Sequence, residues 1–265
     1  MQKKRIGLCR SFVSVLFQAM LKNYKLTIQY DGGRYDGWQK QGNTDNTIQG
    51  KIEAILSRLA EEAVEIHGAG RTDAGVHAEG QTASVKLPGN RPAADVMNYL
   101  NRYLPEDIAV VAAEEVDERF HARLNAVGKV YRYEIRLSGV PDVFRRKYQY
   151  RVEEPLDIES MKKAAEKLCG THDFRAFCAN KRYKKSTVRT VYGIDIALDG
   201  ANLSITYRGD GFLYNMVRIL TGTLIEVGQG LRNPEDMDAI LDSLDRASAG
   251  KTAPAQGLTL VNVEY

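Results

Sequence analysis

The stretch VEIHGAGRTDAGVHAEGQTASVKL, residues 64–87, contains two strand-like segments on either side of a loop that is rich in glycine and charge. No helical pattern separates these segments, so strands and helices do not alternate strictly along the chain. A chain that mixes the two elements in this way is typical of the α+β class with a largely antiparallel sheet. We therefore predict that fold class.

Periodic patterns extend outward from this stretch in both directions. Before it, residues 24–31 alternate like a half-buried strand, and apolar residues at helical spacing predict a helix from residue 48 to about residue 62. Asn46 and Thr47 are candidate N-caps for that helix. After the stretch, the patterns predict helices at 93–104, 158–170, 212–228 and about 235–245, and strands at 108–116, 129–137, 190–198, 202–209 and 258–265. Gly170 is the predicted C-terminal cap of the helix 158–170.

These elements form two similar halves, 21–125 and 126–265, each with a sheet and two helices. A cleft between the halves is the default position for a site. Residues 1–20 imitate a targeting signal, with a basic start and then an apolar stretch, but Arg10 interrupts that stretch and no small-residue cleavage site follows. We expect an extension outside the fold, with Met20 as an alternative start.

The composition is that of an ordinary globular protein. The chain has 265 residues, of which 43% are hydrophobic and 27% charged, which excludes a disordered or membrane class. Three cysteines are too few for a disulfide framework and suit a reducing cytoplasm. Cys169, His172 and Cys178 lie close together, but no fourth ligand stands at a zinc-type spacing, so we expect no metal.

The loop at the centre of the opening stretch has two interpretations. Arg71 and Asp73 stand among glycines, and an arginine can pair with a nearby aspartate directly or through a bound phosphate. Such pairing lowers the pKa of the carboxyl by about 1–3 units and keeps it ionised, as a nucleophile or base requires. The alternative is an Asp-Ala-Gly turn with its arginine in solvent. The composition of the loop does not decide between them.

The strand at 129–137 offers aromatic and basic side chains together. Tyr131 and Tyr133 share one face because side chains alternate with period two, so either ring is a core aromatic or a platform that stacks on a base. Lys129 and Arg132 stand nearby for phosphate contacts.

Two basic runs and one helical arginine complete the set of candidates. The basic runs are residues 181–189 and 144–147. Each run is either an exposed, solvated surface or part of an RNA-binding groove. Arg218 lies on an apolar helical pattern that includes Phe212. It either extends into solvent or, if it points into the cleft, pairs with a phosphate or with Asp73.

From Met20 to Tyr265 the sequence resembles the TruA family of tRNA pseudouridine synthases. The resemblance rests on motifs that occur in family order: YDGGRYDGWQKQ with TIQGKIE, GRTDAGVHA, FHAR, GKVYRYEI, GTHDFRAF, TVRTV, GFLYNMVRILTG and APAQGLTLVNVEY. It implies a pseudouridine synthase fold, with two RRM-like halves around a central sheet and a catalytic cleft between them. It also implies isomerisation of uridine at nucleotides 38, 39 or 40 of the tRNA anticodon stem-loop, without cofactor or metal, by a homodimer.

The same resemblance implies roles for individual residues. Asp73 matches the catalytic aspartate, which attacks the nucleoside or promotes loss of the base to a glycal-like intermediate. Arg71 matches the arginine that displaces the target base and then pairs with the aspartate. Tyr131 matches the tyrosine that stacks on the uracil, and Arg218 matches the arginine that pairs with the aspartate. An apolar contact to the base is expected from one of two leucines, Leu258 or Leu260.

Three other functions stay open at this point. A relative of this family that modifies another RNA uridine would share all of these motifs, and the basic stretch 181–185 leaves room for it. An RNA-binding module without catalysis would be expected to have lost Asp73 or Tyr131, and both are present. A metal-dependent hydrolase that used His67, His77 and Cys169 lacks a compact ligand motif.

Overall fold

The computed structural model describes residues 21–180 and 184–265. The predicted extension 1–20 and the first three residues of the basic stretch 181–185 therefore lie outside the described residues. Within them, the elements are β1 Leu21–Tyr30, α1 Ile48–Ala60, β2 Ile66–Gly68, β3 His77–Pro88, α2 Ala93–Tyr103, β4 Ile108–Val116, β5 Gly128–Leu137, β6 Tyr150–Val152, α3 Ile158–Lys167, β7 Gly170–Asp173, β8 Val188–Asp199, β9 Asn202–Gly209, α4 Met216–Gly228, α5 Asp236–Ser243 and β10 Leu258–Glu264.

All of these strands belong to one sheet. Its order is β4-β1-β3-β10-β5-β9-β8-β7, with β2 paired to β3 and β6 paired to β5. Only the β10–β3 and β5–β6 pairs are parallel. The prediction of an α+β fold with a largely antiparallel sheet is confirmed. The sheet runs through both predicted halves, and β10 joins them by pairing with β3 on one side and β5 on the other.

The alternation seen in the sequence decides which strand faces form the core. Leu26 and Ile28 of β1, and Tyr133 and Ile135 of β5, are completely buried, whereas their neighbours along each strand are more exposed. The hydroxyl of Thr47 accepts a hydrogen bond from the Gly50 N–H at 3.2 Å, so the predicted N-cap of α1 is confirmed.

Helix α4 is buried along almost its whole length. Eleven of its 13 residues are buried, and the other two are Arg218 and Glu226. A helix that is apolar all round lies inside a protein. Its first turn, which carries Arg218, therefore extends from the core to the site described below.

The structure corrects two predicted helix boundaries. Helix α4 begins at Met216 and not at Phe212, because Asn215 has a left-handed backbone with φ of 60° that a helix cannot include. Helix α3 ends at Lys167, and Gly170, with φ of +107°, opens β7 instead of capping the helix. The strands β6 and β7, of three and four residues, were not predicted.

Candidate active site

The loop between β2 and β3 is held by the elements around it. The Thr72 carbonyl accepts a hydrogen bond from the Trp38 N–H at 3.1 Å, and the Thr72 hydroxyl lies 2.8 Å from the hydroxyl of Tyr30. The Gln81 side chain donates to the Gly70 carbonyl at 3.0 Å. These bonds connect the loop to β1, to β3 and to the segment before α1, so it is not a free surface turn.

Asp73 sits at the turn of this loop and forms an ion pair across the cleft. Its carbonyl accepts from the Val76 N–H at 3.1 Å, and Gly75 completes the turn with φ of +79°. Its carboxylate Oδ2 lies 3.3 Å from Nη1 of Arg218. The structure thus joins the carboxylate of one predicted half to the guanidinium of the other, 145 residues later in the chain.

Two further hydrogen bonds hold the guanidinium of Arg218 in place beside Asp73. Its Nε donates to the Ala253 carbonyl at 2.8 Å, and its Nη1 also donates to the Asn215 side-chain oxygen at 3.0 Å. Because the backbone of Asn215 is left-handed, α4 begins only at the next residue, and the side-chain oxygen of Asn215 lies beside the guanidinium. Asn215 was not among the predicted residues.

The pKa of Asp73 is set by two opposing effects. Burial raises the pKa of its carboxyl above the usual value, and the charge and hydrogen bond of Arg218 act in the opposite direction without cancelling that effect. Arg71 does not pair with Asp73, because its Nε donates to the Gln39 side-chain oxygen at 3.0 Å. Pairing with an arginine thus lowers the pKa of Asp73 as expected, but the partner is Arg218, and burial outweighs its effect so that the pKa is raised overall.

Aromatic and apolar side chains line the cleft beside Asp73, and its volume is about 800 Å³. Tyr131 is 7% exposed, and Phe212 meets its ring edge-on with centroids 5.3 Å apart. Tyr133 on the same face of β5 is a core residue instead, because it is fully buried and its hydroxyl donates to the Pro254 carbonyl at 2.7 Å. Burial also raises the pKa of the Tyr131 hydroxyl, so this hydroxyl stays neutral at physiological pH.

The two candidate leucines of β10 have different positions. Leu258 lines the cleft, whereas Leu260 is fully buried and is not among the lining residues. Leu260 is paired in register with Tyr131, and its side chain belongs to the core of the sheet. Of the two leucines expected to contact the base, the position of Leu258 therefore suits that contact and the buried position of Leu260 does not. Phe212 was missed because the sequence pattern placed it inside the following helix.

Four positive side chains line the cleft: Arg71, Arg123 and Lys185, which are exposed at its mouth, and Lys129, which is partly buried. None of these four forms an ion pair with a carboxylate of residues 21–180 or 184–265. Burial, reinforced by the nearby charges of Arg123 and Arg189, lowers the pKa of the Lys129 amine to about 8. Unpaired positive charge of this density favours an anionic ligand. The run 144–147 does not line the cleft.

The histidines and the cysteine that were considered as metal ligands make contacts within the fold. His77 is buried, accepts a hydrogen bond from the Gly32 N–H at 3.2 Å and packs on the ring of Tyr148. His172 lies 2.9 Å from the Cys169 carbonyl. In the described part of the chain, no three His, Cys, Asp or Glu side chains gather as a metal-binding group. Its helices are also too short or too polar to span a membrane.

The fold and the site together define a class of protein: an α+β protein whose cleft combines a paired carboxylate, aromatic side chains and several cations. A family model described as tRNA pseudouridine synthase matches residues 26–125 and 164–265. The chain belongs to this family, the TruA family of tRNA pseudouridine synthases, and is an enzyme of the isomerase class.

Relatives of known name are similar over their whole length. A tRNA pseudouridine synthase A of Bacillus sp. (strain KSM-64) is 51% identical over 92% of this chain and 100% of its own. The protein of the same name from Brevibacillus brevis is 47% identical over the same shares. A solved structure of a Cbf5-Nop10-Gar1 complex is also similar, with a TM-score of 0.35 and 14% identity over 76% of this chain and 45% of that one. This last likeness is too weak to support an argument.

Proposed function

We propose that the protein converts uridine to pseudouridine in the anticodon stem-loop of tRNA, at nucleotides 38, 39 or 40. The observation that carries the proposal is the partly buried carboxylate of Asp73, paired with Arg218 in a cleft that also holds Tyr131. The cations at the cleft mouth supply charge for an RNA backbone.

The geometry suits a nucleotide that has left its helix. A base within an A-form stem is inaccessible to side chains, because the major groove is deep and narrow and the bases are stacked. Extruding it costs a few kcal/mol, so one group must fill the gap and another must hold the ring. Arg71, exposed on the loop, is suited to the first task, and Tyr131 with Phe212 and Leu258 is suited to the second. We assign Lys129, which lines the cleft, to a phosphate contact.

The reaction needs a carboxylate near the sugar and no other reagent. The bond from N1 of uracil to C1′ breaks, the base rotates, and C5 bonds to C1′; the proton on C5 is lost and N1 gains one. Asp73 attacks the nucleoside or promotes loss of the base to a glycal-like intermediate, and either route requires the ionised carboxylate. Arg218 stabilises that charge, and the apolar side chains of the cleft are suited to retain the free base beside the carboxylate.

Substitution of the aspartate tests the proposal. With Asp73→Asn we expect tRNA binding within about twofold of wild type and pseudouridine formation at least about 100-fold slower, because the amide has the same shape but cannot act as a carboxylate. Carbodiimide mapping of an unmodified tRNA transcript measures the product. Asp95→Asn, on the exposed surface of α2, is the control and is expected to keep full activity. Absence of product from wild-type enzyme at stoichiometric amounts, on any tRNA, would contradict the proposal.

The same mapping separates the position of the target from the activity itself. Product at a uridine outside nucleotides 38–40 would show a relative that modifies another RNA position. We also propose that the protein is a cytoplasmic homodimer, and sedimentation equilibrium should then give twice the chain mass of 29.6 kDa.

A further inference from the structure

Arg123 lies on the border between two cavities. The cleft that holds Asp73 adjoins a second cavity of about 390 Å³, here called the side groove. Residues lining the side groove include His67, Gly68, Glu65, His121 and Leu124. The residues that line both cavities are Gly70, Arg71, Arg123 and Lys185. Three of these four are cations, so a ligand that passes from the cleft into the side groove must pass between positive charges.

The carboxylates near this border do not balance those charges. Glu65 is the acidic residue that lines the side groove, and Asp73 is the one that lines the cleft, where it pairs with Arg218. Arg123 and Lys185 have no ion pair within residues 21–180 and 184–265. The border therefore keeps an excess of positive charge that an anion can neutralise.

The backbone that carries Arg123 is anchored on both sides. The N–H of Ala122 donates to the hydroxyl of Ser84 at 3.1 Å, and the carbonyl of Ala122 accepts from the hydroxyl of Tyr265 at 2.8 Å. Arg123 itself donates its N–H to Nδ1 of His121 at 3.1 Å. An arginine on a fixed backbone loses less freedom when it binds a ligand than one on a mobile loop.

The ring of His121 connects this turn to the catalytic loop. It stacks on the ring of His67, with centroids 5.0 Å apart and planes 20° from parallel. His67 lies on β2, directly before the loop that carries Asp73. Arg123, although it is 50 residues away in sequence, is therefore held in a defined position relative to Asp73.

We propose that Arg123 binds the backbone phosphate next to the extruded uridine, with Lys185 as a second cation at the same border. This inference rests on the proposed function, because it assumes that the cleft receives a nucleotide of an RNA strand. The extruded base enters the cleft while the strand continues outside it, and the side groove offers a cation-lined path from the cleft mouth beside Arg71. A phosphate contact at this point positions the nucleotide and carries no sequence information.

The salt dependence of RNA binding tests the role of Arg123. The experiment measures fluorescence anisotropy of an end-labelled anticodon stem-loop RNA at several KCl concentrations, with wild type, Arg123→Gln and Arg123→Lys. We expect Arg123→Gln to bind about 5- to 10-fold more weakly at 0.1 M salt and to reduce the slope of log K against log salt by about 1. Arg123→Lys should restore the slope. Arg102→Gln, an exposed arginine on α2 that lines neither cavity, should change neither quantity.

Turnover then distinguishes a positioning contact from a structural one. Because Arg123 contacts the strand and not the reacting atoms, Arg123→Gln should raise KM with kcat within about threefold of wild type. An unchanged slope and affinity in Arg123→Gln would overturn the inference, even if the wild-type enzyme forms pseudouridine. If wild type forms no pseudouridine but Arg123→Gln still reduces the slope, the proposed function fails and the phosphate contact stands.

Discussion

At the scale of single residues, the pKa of Asp73 depends on a balance between burial and the charge of Arg218, which a sequence does not reveal. The pairing of Asp73 with an arginine was predictable as a type of interaction, and the resemblance named Arg218 as its partner. The net direction of the pKa was not predictable, because it depends on how far burial outweighs the attraction of Arg218. Phe212 was missed for a similar reason, since its position depends on one backbone angle at Asn215.

Removal of the guanidinium should shift the acid limb of the pH profile. Burial raises the pKa of Asp73, so the ionised form is lost as the pH falls through a value above that of a free aspartate. Arg218 opposes that rise. In Arg218→Gln we therefore expect the acid limb of kcat/KM to move to higher pH and the rate at neutral pH to fall, whereas Arg218→Lys should move the limb less. A limb that stays in place in Arg218→Gln would show that Arg218 does not control this ionisation.

At the scale of elements, periodicity located the long helices and strands, but their ends depend on contacts that the pattern does not contain. The predicted strand at 108–116 has the observed bounds, and α1 begins at the predicted cap. The start of α4 and the end of α3 were misplaced by a few residues, because apolar residues continue beyond the helical backbone in both cases.

The cap of α1 gives a measurable contribution to stability. Thr47→Ala removes the hydroxyl that accepts from the Gly50 N–H and should lower the free energy of unfolding by about 1–2 kcal/mol. Thr47→Ser keeps that hydroxyl and should recover most of the loss. Urea denaturation followed by circular dichroism measures both, with a changed midpoint and an unchanged m-value. Equal midpoints for the alanine and serine variants would show that packing of the threonine methyl dominates.

At the scale of the whole molecule, one continuous sheet connects the two predicted halves. The division into 21–125 and 126–265 describes the order of elements in the sequence and stays a prediction. The position of β10 could not be deduced from periodicity, which finds a strand but not its neighbours. Its pairs with β3 and β5 place Asp73 and Tyr131 on two sides of one cleft.

This connection predicts a single unfolding transition. Trp38, the only tryptophan, reports on residues 21–125, while far-UV circular dichroism reports on both halves. We expect the two signals to change together in urea. Leu260→Ala, at a fully buried position of β10, should lower the free energy of unfolding obtained from either signal by about 2–5 kcal/mol. Leu198 on β8 is 49% exposed, so Leu198→Ala should change that free energy by no more than about 0.5 kcal/mol. Separate transitions for tryptophan fluorescence and circular dichroism would show that the halves unfold independently.

The place of β10 in the sheet also has a consequence for how the enzyme is made. During synthesis Asp73 leaves the ribosome first, Arg218 follows 145 residues later, and Leu258 comes later still. Until residues 258–264 are out, β3 and β5 have unpaired edges on the sides that β10 will occupy, and such edges attract other chains. A nascent chain at that stage therefore has its carboxylate but no closed cleft. Synthesis itself thus delays activity until the last strand is in place.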